Sequence, residues 1–372
     1  MPYETDTRLA QVGNRTDAKT GAVNPPVYFS TSYAHPGMGE STGFDYTRTK
    51  NPTRAILEEA LADLEKGDGA VACSSGMAAI HTVFGLFRSG EEVVVPYDLY
   101  GGTYRLFEEV LSRYGIHFRY AELTDVSTFE KQITAQTKAI FLESPTNPLM
   151  KEADLKEYAA LCKKYGLWLI VDNTFYTPLL QKPLEEGADL VIHSATKYLG
   201  GHNDVLAGAI VAKGEELTEK IAALQNGIGA TLSAMDSWLL MRGMKTLHLR
   251  MKQHEENARH VAEFLENHEA VKDVLYPGRG GMLSFRVNSE EQVPVLLRSL
   301  GLITFAESLG GVESFITYPA TQTHADVPRE RRMKYGVDDC LLRFSVGIED
   351  CEDLKKDLAQ ALGNSLIKER EA

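Results

Sequence analysis

The stretch of sequence that decides the fold runs from residue 167 to residue 197 and reads LWLIVDNTFYTPLLQKPLEEGADLVIHSATK. It contains two short apolar runs, Leu167–Val171 and Leu190–His193, and polar residues follow each run directly. Nearly continuous apolar runs of this length are typical of strands that are buried on both faces of a parallel sheet. The stretch therefore predicts two buried strands of one sheet.

The same pattern extends in both directions along the chain. The further apolar runs are Ala70–Cys73, Glu92–Val95, His117–Ala121, Ala139–Leu142 and Leu206–Ala212. Stretches with helical spacing lie between or before them, at Arg54–Leu64, Met77–Phe87, Tyr104–Tyr114 and Leu155–Tyr165. Alternation of strands and helices predicts an α/β fold, with a mostly parallel central sheet and helices on both faces.

Three segments differ in texture and predict the domain organisation. Residues 1–50 are rich in Gly, Pro, Ser and Thr without periodicity, which predicts an irregular N-terminal arm held by an adjacent subunit. Residues 51–232 form the large α/β domain. Residues 233–372 contain a long helical stretch from Ser237 to Leu265, three strand-like runs and a final helix, which predicts a smaller C-terminal α+β domain. The three runs are Met282–Val287, Ile303–Ala306 and Leu341–Val346.

Composition excludes several classes of protein. The chain has 372 residues and a formal net charge of −13, which argues against a nucleic-acid binder and against docking on anionic membranes. No apolar stretch approaches the roughly 20 residues that cross a bilayer. The four cysteines show neither a disulfide framework nor the close pairs of a zinc site, so we expect reduced thiols, no metal and a cytoplasmic location.

Small polar residues open one predicted helix. Ser74-Ser75-Gly76-Met77 leaves a strand and begins the next helix, where the first backbone N–H groups lack acceptors within the helix. Such a helix start attracts phosphate groups. An ordinary helix cap, formed by the serine, is the alternative interpretation of the same residues.

Chemically active side chains follow three other strands. Asp172 ends one apolar run, Asn147 follows another, and His193-Ser194-Ala195-Thr196-Lys197 ends a third. A lysine in such a place forms a Schiff base with a carbonyl compound when its pKa is lowered, although most lysines are simply solvated. A carboxylate there either caps a helix or faces a cationic ring nitrogen. Because α/β proteins bind ligands at the carboxyl ends of their strands, the convergence of these residues predicts a binding site.

Taken together, these motifs resemble the Cys/Met-metabolism family of pyridoxal-phosphate (PLP) enzymes, which have the aspartate-aminotransferase fold, PLP fold type I. The resemblance rests on an ordered series that covers most of the chain. The series comprises Tyr46-Thr47-Arg48, Asn51-Pro52-Thr53, Ser75-Gly76-Met77, Tyr100-Gly101-Gly102-Thr103-Tyr104, Asp172-Asn173-Thr174, Ser194-Ala195-Thr196-Lys197-Tyr198, Ala306-Glu307-Ser308-Leu309-Gly310-Gly311 and Leu342-Arg343-Phe344-Ser345-Val346-Gly347.

The resemblance implies PLP as cofactor and assigns three catalytic residues. Lys197 is expected to bind the cofactor covalently and then to shuttle protons. Asp172 is expected to pair with the pyridinium nitrogen, which keeps the ring an electron sink. Tyr100 is expected to stack on the ring.

The resemblance also implies a phosphate site that two subunits share. The amides of Gly76 and Met77, with the side chains of Ser194 and Thr196, are expected to hold the phosphate. Tyr46 and Arg48 are expected to reach the phosphate of the adjacent subunit. The family pattern therefore implies a homodimer, with two dimers paired as a homotetramer.

For the substrate, the resemblance implies a small amino acid. Arg343 is expected to bind its α-carboxylate with the planar guanidinium, and Asn147 and Ser308 line the same pocket. Asp45 and Glu307 form an acidic pair that is expected to receive the amino group of incoming cysteine.

The nearest resemblance within the family is to the cystathionine γ-synthases. The implied reaction is γ-replacement on O-acetyl- or O-succinyl-L-homoserine by L-cysteine or sulfide, a transferase step of methionine biosynthesis. A cystathionine γ-lyase or β-lyase is the alternative. γ-Lyases can also carry a glutamate at the position of Glu307, whereas β-lyases tend to carry a bulkier, aromatic residue there. The short segment Tyr276–Met282 is similar to that of bacterial synthases with O-acetylhomoserine sulfhydrylase activity.

Overall fold

A computed structural model describes residues 3–371. A seven-stranded sheet forms its centre, with the strand order β1-β7-β6-β5-β4-β2-β3. The strands are β1 (Gly69–Cys73), β2 (Glu92–Pro96), β3 (His117–Ala121), β4 (Thr137–Glu143), β5 (Trp168–Asp172), β6 (Leu190–His193) and β7 (Gly208–Ala212). β7 is antiparallel to both of its neighbours, and the other six strands run in one direction. The predicted mostly parallel sheet is therefore confirmed.

Helices cover both faces of this sheet. They are α1 (Thr5–Ala10), α2 (Pro52–Glu65), α3 (Gly76–Phe84), α4 (Gly101–Arg105), α5 (Val126–Glu130), α6 (Leu155–Tyr165), α7 (Thr177–Leu180), α8 (Glu215–Ile228), α9 (Ala234–Met244) and α10 (Leu247–Glu266). Alternate residues of each strand enter different apolar clusters. Val171 of β5 packs on the side that carries α2, whereas Ile170 packs on the side of α3 and α8.

Helix ends follow local signals where these are strong. α6 begins after Asp154, whose carboxylate accepts from the backbone N–H groups of Lys156 and Glu157. It ends at Gly166, which has a φ of 66°. The predicted bounds of this helix, Leu155–Tyr165, are those of the structure.

Two predicted helices are divided. The stretch Tyr104–Tyr114 contains the end of α4, a π-helical turn at Leu106–Val110 and a 3₁₀ turn at Leu111–Tyr114. The long stretch from Ser237 is two helices, α9 and α10, which are separated at Lys245 and Thr246. Apolar spacing continues across both breaks, so the sequence pattern alone does not reveal them.

A second sheet of five strands follows in the chain, with the order β10-β11-β12-β9-β8. Its strands are β8 (Val271–Leu275), β9 (Met282–Val287), β10 (Thr304–Phe305), β11 (Phe315–Thr317) and β12 (Leu341–Ser345). The helices of this region are α11 (Gln292–Ser299), α12 (Arg329–Lys334) and α13 (Cys351–Glu371). β8 and β11 were not predicted, because β8 contains two consecutive charged residues, Lys272 and Asp273, and β11 has only three residues.

The predicted domain limits remain predictions. α9 and the first turns of α10 contribute Leu240, Met244 and Leu247 to the same apolar cluster as the central sheet. Within the arm, Leu9 and Val12 are also buried in that cluster, whereas Phe29 and Val23 are exposed. None of the helices described over residues 3–371 combines the length and the apolar character needed to cross a membrane.

Candidate active site

The carboxyl ends of five parallel strands meet at one edge of the central sheet, and a cavity of about 180 Å³ lies there. Segments at the ends of β1, β2, β4, β5 and β6 form its floor and walls. Residues between β10 and β11, after β11 and within β12 complete it. The lining includes Ser75, Gly76, Met77, Tyr100, Glu143, Asn147, Asp172, Thr174, Ser194, Thr196, Lys197, Glu307, Ser308, Thr323 and Arg343. The structure thus brings together the predicted site residues except Tyr46, Arg48 and Asp45.

An anion cradle lies at the start of α3. Ser75 caps this helix and accepts from the backbone N–H of Ala78 at 3.0 Å, so the amides of Gly76 and Met77 remain available to a ligand. A Cβ atom at residue 76 would lie 2.7 Å from the Cβ atom of Ser194, so the close approach of the two segments requires glycine.

One predicted phosphate ligand is already engaged within the chain. The hydroxyl of Thr196 donates to the carbonyl oxygen of Ala207 at 3.1 Å and accepts from the N–H of the same residue at 3.0 Å. The hydroxyl therefore fixes the turn that leads to Lys197. The other predicted roles in phosphate binding remain predictions.

Lys197 projects its amine into the cavity. Its Nζ lies 3.4 Å from Oγ of Ser308. Burial lowers the pKa of Lys197 to about 8; the positive charge of Arg343 adds to this effect, and Glu307 opposes it. A neutral amine is the nucleophilic form of lysine, so this surrounding prepares Lys197 for covalent chemistry.

Asp172 ends β5 beside the base of the cavity. Its Oδ1 accepts from the backbone N–H of Thr174 at 3.0 Å and from the hydroxyl of Thr174 at 2.5 Å. That hydroxyl also accepts from the backbone N–H of Ser194 at 2.8 Å. Burial raises the pKa of Asp172, while the two hydrogen bonds from Thr174 act in the opposite direction. Thr174 therefore orients the carboxylate and ties it to the neighbouring strand end.

Arg343 is a buried cation at the far wall of the cavity. Its Nη1 donates to Oδ1 of Asn147 at 3.0 Å, and its Nη2 donates to the carbonyl oxygen of Ser308 at 2.9 Å and to Oγ1 of Thr317 at 3.0 Å. Its Nε has no partner, and no carboxylate within the described residues forms an ion pair with it. Burial lowers the pKa of Arg343 to about 10. A buried guanidinium that lacks an anion suits the carboxylate of a ligand.

The sequence interpretation missed several residues of the site. Glu143 ends β4 and lines the cavity, and its Oε2 accepts from the backbone N–H of Tyr100 at 3.0 Å. Thr174 and Thr317 hold Asp172 and Arg343 in place. The signal for Glu143 was present, since it follows a buried strand as Asp172 does. No local signal marks Thr317, because its contact with Arg343 depends on the pairing of β11 with β12.

Three predicted residues lie outside the chain's own cavity. Arg48 donates through Nη1 to the backbone oxygen of Asn226 at 2.7 Å and to its Oδ1 at 2.8 Å. Tyr46 is half exposed beside it, with the Arg48 guanidinium 5.7 Å from its ring centre. Asp45 accepts from the hydroxyl of Ser41 at 2.6 Å. Their predicted roles in an adjacent subunit or at the cysteine site remain predictions.

Comparison with known proteins agrees with this geometry. The family model described as "Cys/Met metabolism PLP-dependent enzyme" matches residues 6–363. The chain belongs to this family. It is 62% identical over 362 residues to a cystathionine γ-synthase/O-acetylhomoserine (thiol)-lyase of Bacillus subtilis, covering 97% of each chain. It is 59% identical to a cystathionine γ-synthase of Haemophilus influenzae, covering 97% of this chain and 98% of the relative.

Solved structures show the same fold. A cystathionine γ-lyase from Lactobacillus plantarum in complex with L-serine has a TM-score of 0.96 and 42% identity, over 98% of this chain and 100% of that chain. A cystathionine γ-synthase from Xanthomonas oryzae in complex with aminoacrylate and cysteine has a TM-score of 0.96 and 40% identity, over 99% and 100%. The predicted fold type I of PLP enzymes is therefore confirmed, and so is PLP as the cofactor of this enzyme.

The residues of the cavity fit this cofactor. The free amides of α3 suit a phosphate, and the absence of a Cβ at Gly76 leaves the approach to Ser194 open. The amine of Lys197, with its lowered pKa, suits covalent attachment to an aldehyde. The carboxylate of Asp172 suits a protonated ring nitrogen.

Proposed function

We propose that this enzyme catalyses γ-replacement on an O-acyl-L-homoserine by L-cysteine, which gives cystathionine and releases the acyl group as its carboxylate. The observation that carries the proposal is the 62% identity, over 97% of both chains, with a relative named cystathionine γ-synthase/O-acetylhomoserine (thiol)-lyase. The name of that relative also makes sulfide a second nucleophile to test. Assays with O-acetyl- and O-succinylhomoserine decide which acyl group the enzyme accepts.

The substrate amino acid is held by its carboxylate at Arg343. The guanidinium offers its unpartnered Nε–H and one N–H of Nη1, while Asn147, Thr317 and the carbonyl oxygen of Ser308 keep its plane fixed. Charge-assisted hydrogen bonds to a carboxylate are stronger than neutral ones, and the buried surroundings increase their strength. A carboxylate held there would place the Cα atom of the substrate in the same cavity as the amine of Lys197.

Proton transfer is the task of Lys197. When bound, PLP supplies an electron sink for the negative charge that develops at the carbons next to the amino group. The amine of Lys197 takes the Cα proton and returns it at the end of the reaction. A pKa of about 8 suits both steps near neutral pH, because general acid–base groups act best when their pKa is close to the working pH.

The incoming nucleophile enters past Glu307. This glutamate is exposed at the mouth of the cavity, where its charge attracts the ammonium group of cysteine. An exposed ion pair of this kind contributes ~0.2–1 kcal/mol. Sulfide has no ammonium group, so its use depends less on Glu307. Asp45 completes the acidic pair only when an adjacent subunit or a movement of the arm brings it to the cavity.

We also propose that the active site is shared between subunits of a homodimer, itself half of a homotetramer, in the cytoplasm. Tyr46 and Arg48 lie in an irregular arm and outside the chain's own cavity. Phe29 and Val23 of the same arm expose large apolar surfaces, which a second copy of the chain would cover.

A cystathionine lyase is the second candidate, because a γ-lyase structure superposes with a TM-score of 0.96. The deciding experiment supplies O-acetyl- and O-succinylhomoserine separately, each with cysteine or sulfide, and measures cystathionine, homocysteine, pyruvate and oxobutyrate. Faster formation of cystathionine from one ester than cleavage of added cystathionine supports the synthase. Faster cleavage of cystathionine refutes it and identifies a lyase.

A further inference from the structure

Two carboxyl groups, those of Glu143 and Asp172, lie side by side below the cofactor cavity. β4 and β5 are parallel, and their register pairs Glu143 directly with Asp172. Both residues line the same cavity. No lysine, arginine or histidine among the described residues forms an ion pair with either carboxyl group. Two like charges at neighbouring strand positions destabilise a sheet, and burial increases that cost.

The hydrogen bonds of the two groups are unequal. Asp172 accepts two hydrogen bonds from Thr174, through the backbone N–H and the hydroxyl. Glu143 accepts one, from the backbone N–H of Tyr100, and is the more buried of the two. Donors stabilise an ionised carboxylate, so the negative charge resides on Asp172. If Asp172 holds the protonated ring nitrogen of bound PLP, as expected, that positive charge would add to the same preference.

Burial and two neighbouring carboxyl groups also favour the protonated form of Glu143. Burial is the main factor that raises the pKa of Glu143 well above its usual range, and the negative charge of Asp172 adds to it. Asp98, a buried carboxyl group after β2, raises it further, whereas the hydrogen bond from Tyr100 and the positive charge of Arg343 oppose the shift.

We propose that Glu143 keeps a proton in the working enzyme and serves as an uncharged positioning residue, which holds the start of the Tyr100 segment and leaves Asp172 as the single negative charge that faces the cofactor ring. In this arrangement one carboxyl group supplies the negative charge, and its protonated neighbour supplies an uncharged acceptor for the backbone N–H of Tyr100. Environments that separate the pKa values of two adjacent acids commonly give them different roles in an active site.

The first test is infrared spectroscopy of the PLP-loaded enzyme at about pH 8, where ordinary carboxyl groups are ionised. We expect a carbonyl band of a protonated carboxylic acid in the wild type and its loss in Glu143→Gln. The matched control is Glu122→Gln, which removes a half-buried carboxylate that is paired with Lys151 at 2.8 Å and should keep the band. Absence of the band in the wild type, or its persistence in Glu143→Gln, overturns the proposal.

The second test uses thermal unfolding of the PLP-loaded proteins between about pH 5 and pH 8. A carboxyl group whose pKa is raised by folding binds more protons in the native state, so its contribution to stability decreases as the pH rises. Glu143→Gln has no titrating group at this position, so its stability does not decrease with pH for this reason. Its Tm relative to the wild type should therefore increase with pH, whereas that of Glu122→Gln should not. A Tm difference that is constant with pH for Glu143→Gln contradicts the proposal.

If Glu143→Gln does not fold, two variants of Thr174 test the same proposal. Thr174→Val removes the hydroxyl that donates to Asp172, so part of the proton should move from Glu143 to Asp172, and the affinity for PLP should fall. The infrared band should therefore shift in Thr174→Val, because the protonated carboxyl group is then partly that of Asp172. Thr174→Ser retains the hydroxyl and should restore both the position of the band and the affinity. Equal behaviour of the two variants overturns the proposal. Because these measurements use no amino-acid substrate, their outcome is independent of whether the enzyme is a synthase or a lyase.

Discussion

Replacement of Arg343 by lysine tests the assignment of the substrate carboxylate site. In the structure the guanidinium is fixed by Asn147, Ser308 and Thr317, which leaves the Nε–H and one N–H of Nη1 for a ligand, and it has no anionic partner among the described residues. Lysine retains the positive charge but offers a single point of contact in place of a planar fork. The variant therefore isolates the geometric part of carboxylate recognition from the charge.

The expected loss follows from the number of hydrogen bonds. Lysine can replace one of the two parallel hydrogen bonds that a guanidinium makes to a carboxylate, so one charge-assisted hydrogen bond is lost. Such a bond is worth about 1.5–3 kcal/mol, and each 1.36 kcal/mol corresponds to tenfold in rate. We therefore expect kcat/KM for the O-acylhomoserine substrate to fall roughly 10- to 150-fold, mainly through KM.

The assay measures kcat/KM with O-acetylhomoserine, and in parallel with an analogue that lacks the carboxylate. The wild type and Arg343→Lys should use the analogue equally poorly, because neither makes the contact. The matched control is Arg286→Lys, which changes a partly buried arginine of β9 that is paired with Asp273 and Asp338 away from the cavity. It should lower stability without changing KM. An unchanged KM in Arg343→Lys, or an equal fall with the analogue, would refute the carboxylate assignment.

Four further predictions test other parts of the site. Gly76→Ala places a methyl group 2.7 Å from the Cβ atom of Ser194, so the affinity for PLP, measured by fluorescence titration, should fall about tenfold. This loss lies within the 1–3 kcal/mol typical of overpacking, and an unchanged affinity contradicts phosphate binding at the start of α3. Burial lowers the pKa of Lys197 to about 8, so the rate at which the apoprotein captures PLP, measured by stopped-flow absorbance, should rise with pH up to about 8 and then level off. A rate that continues to rise to pH 10 would show that the amine has an ordinary pKa. Mixed dimers of Arg48→Ala and Lys197→Ala chains should regain activity because one of their two sites is intact, and no recovery after subunit exchange counts against a shared site. Glu307→Ala should raise the KM for cysteine up to about fivefold, in line with the ~0.2–1 kcal/mol of an exposed ion pair, and should change the KM for sulfide less; an equal change for both nucleophiles rules out an ammonium contact.

Local sequence determined the elements of the central sheet. The bounds of α6 could be predicted because Asp154 caps its start and Gly166 provides the left-handed residue at its end. The strands could be predicted because both of their faces are apolar. The position of Lys197 and Asp172 at one edge follows from chain direction alone, because parallel strands place their carboxyl ends together.

The breaks within predicted helices could not be read in the same way. Apolar spacing persists from α9 into α10, although the backbone leaves the helix at Lys245 and Thr246. Such a break depends on the packing of each helix against a different partner. The strand β11 is three residues long, and it forms because β10 and β12, which come from other parts of the chain, pair with it on its two sides.

The electrostatic character of the site was decided by tertiary structure. Sequence marked Asp172 and Arg343 as separate candidates, but it gave no indication that Arg343 is buried without an anion or that Glu143 is paired in register with Asp172. Register, burial and the direction of hydrogen bonds depend on residues that are distant in the chain. These three quantities set the charge of each group in the cavity. The sequence by itself determined which chemical groups reach the cavity. Only the folded arrangement decided which of these groups are suited to carry charge, to hold a proton or to bind a substrate.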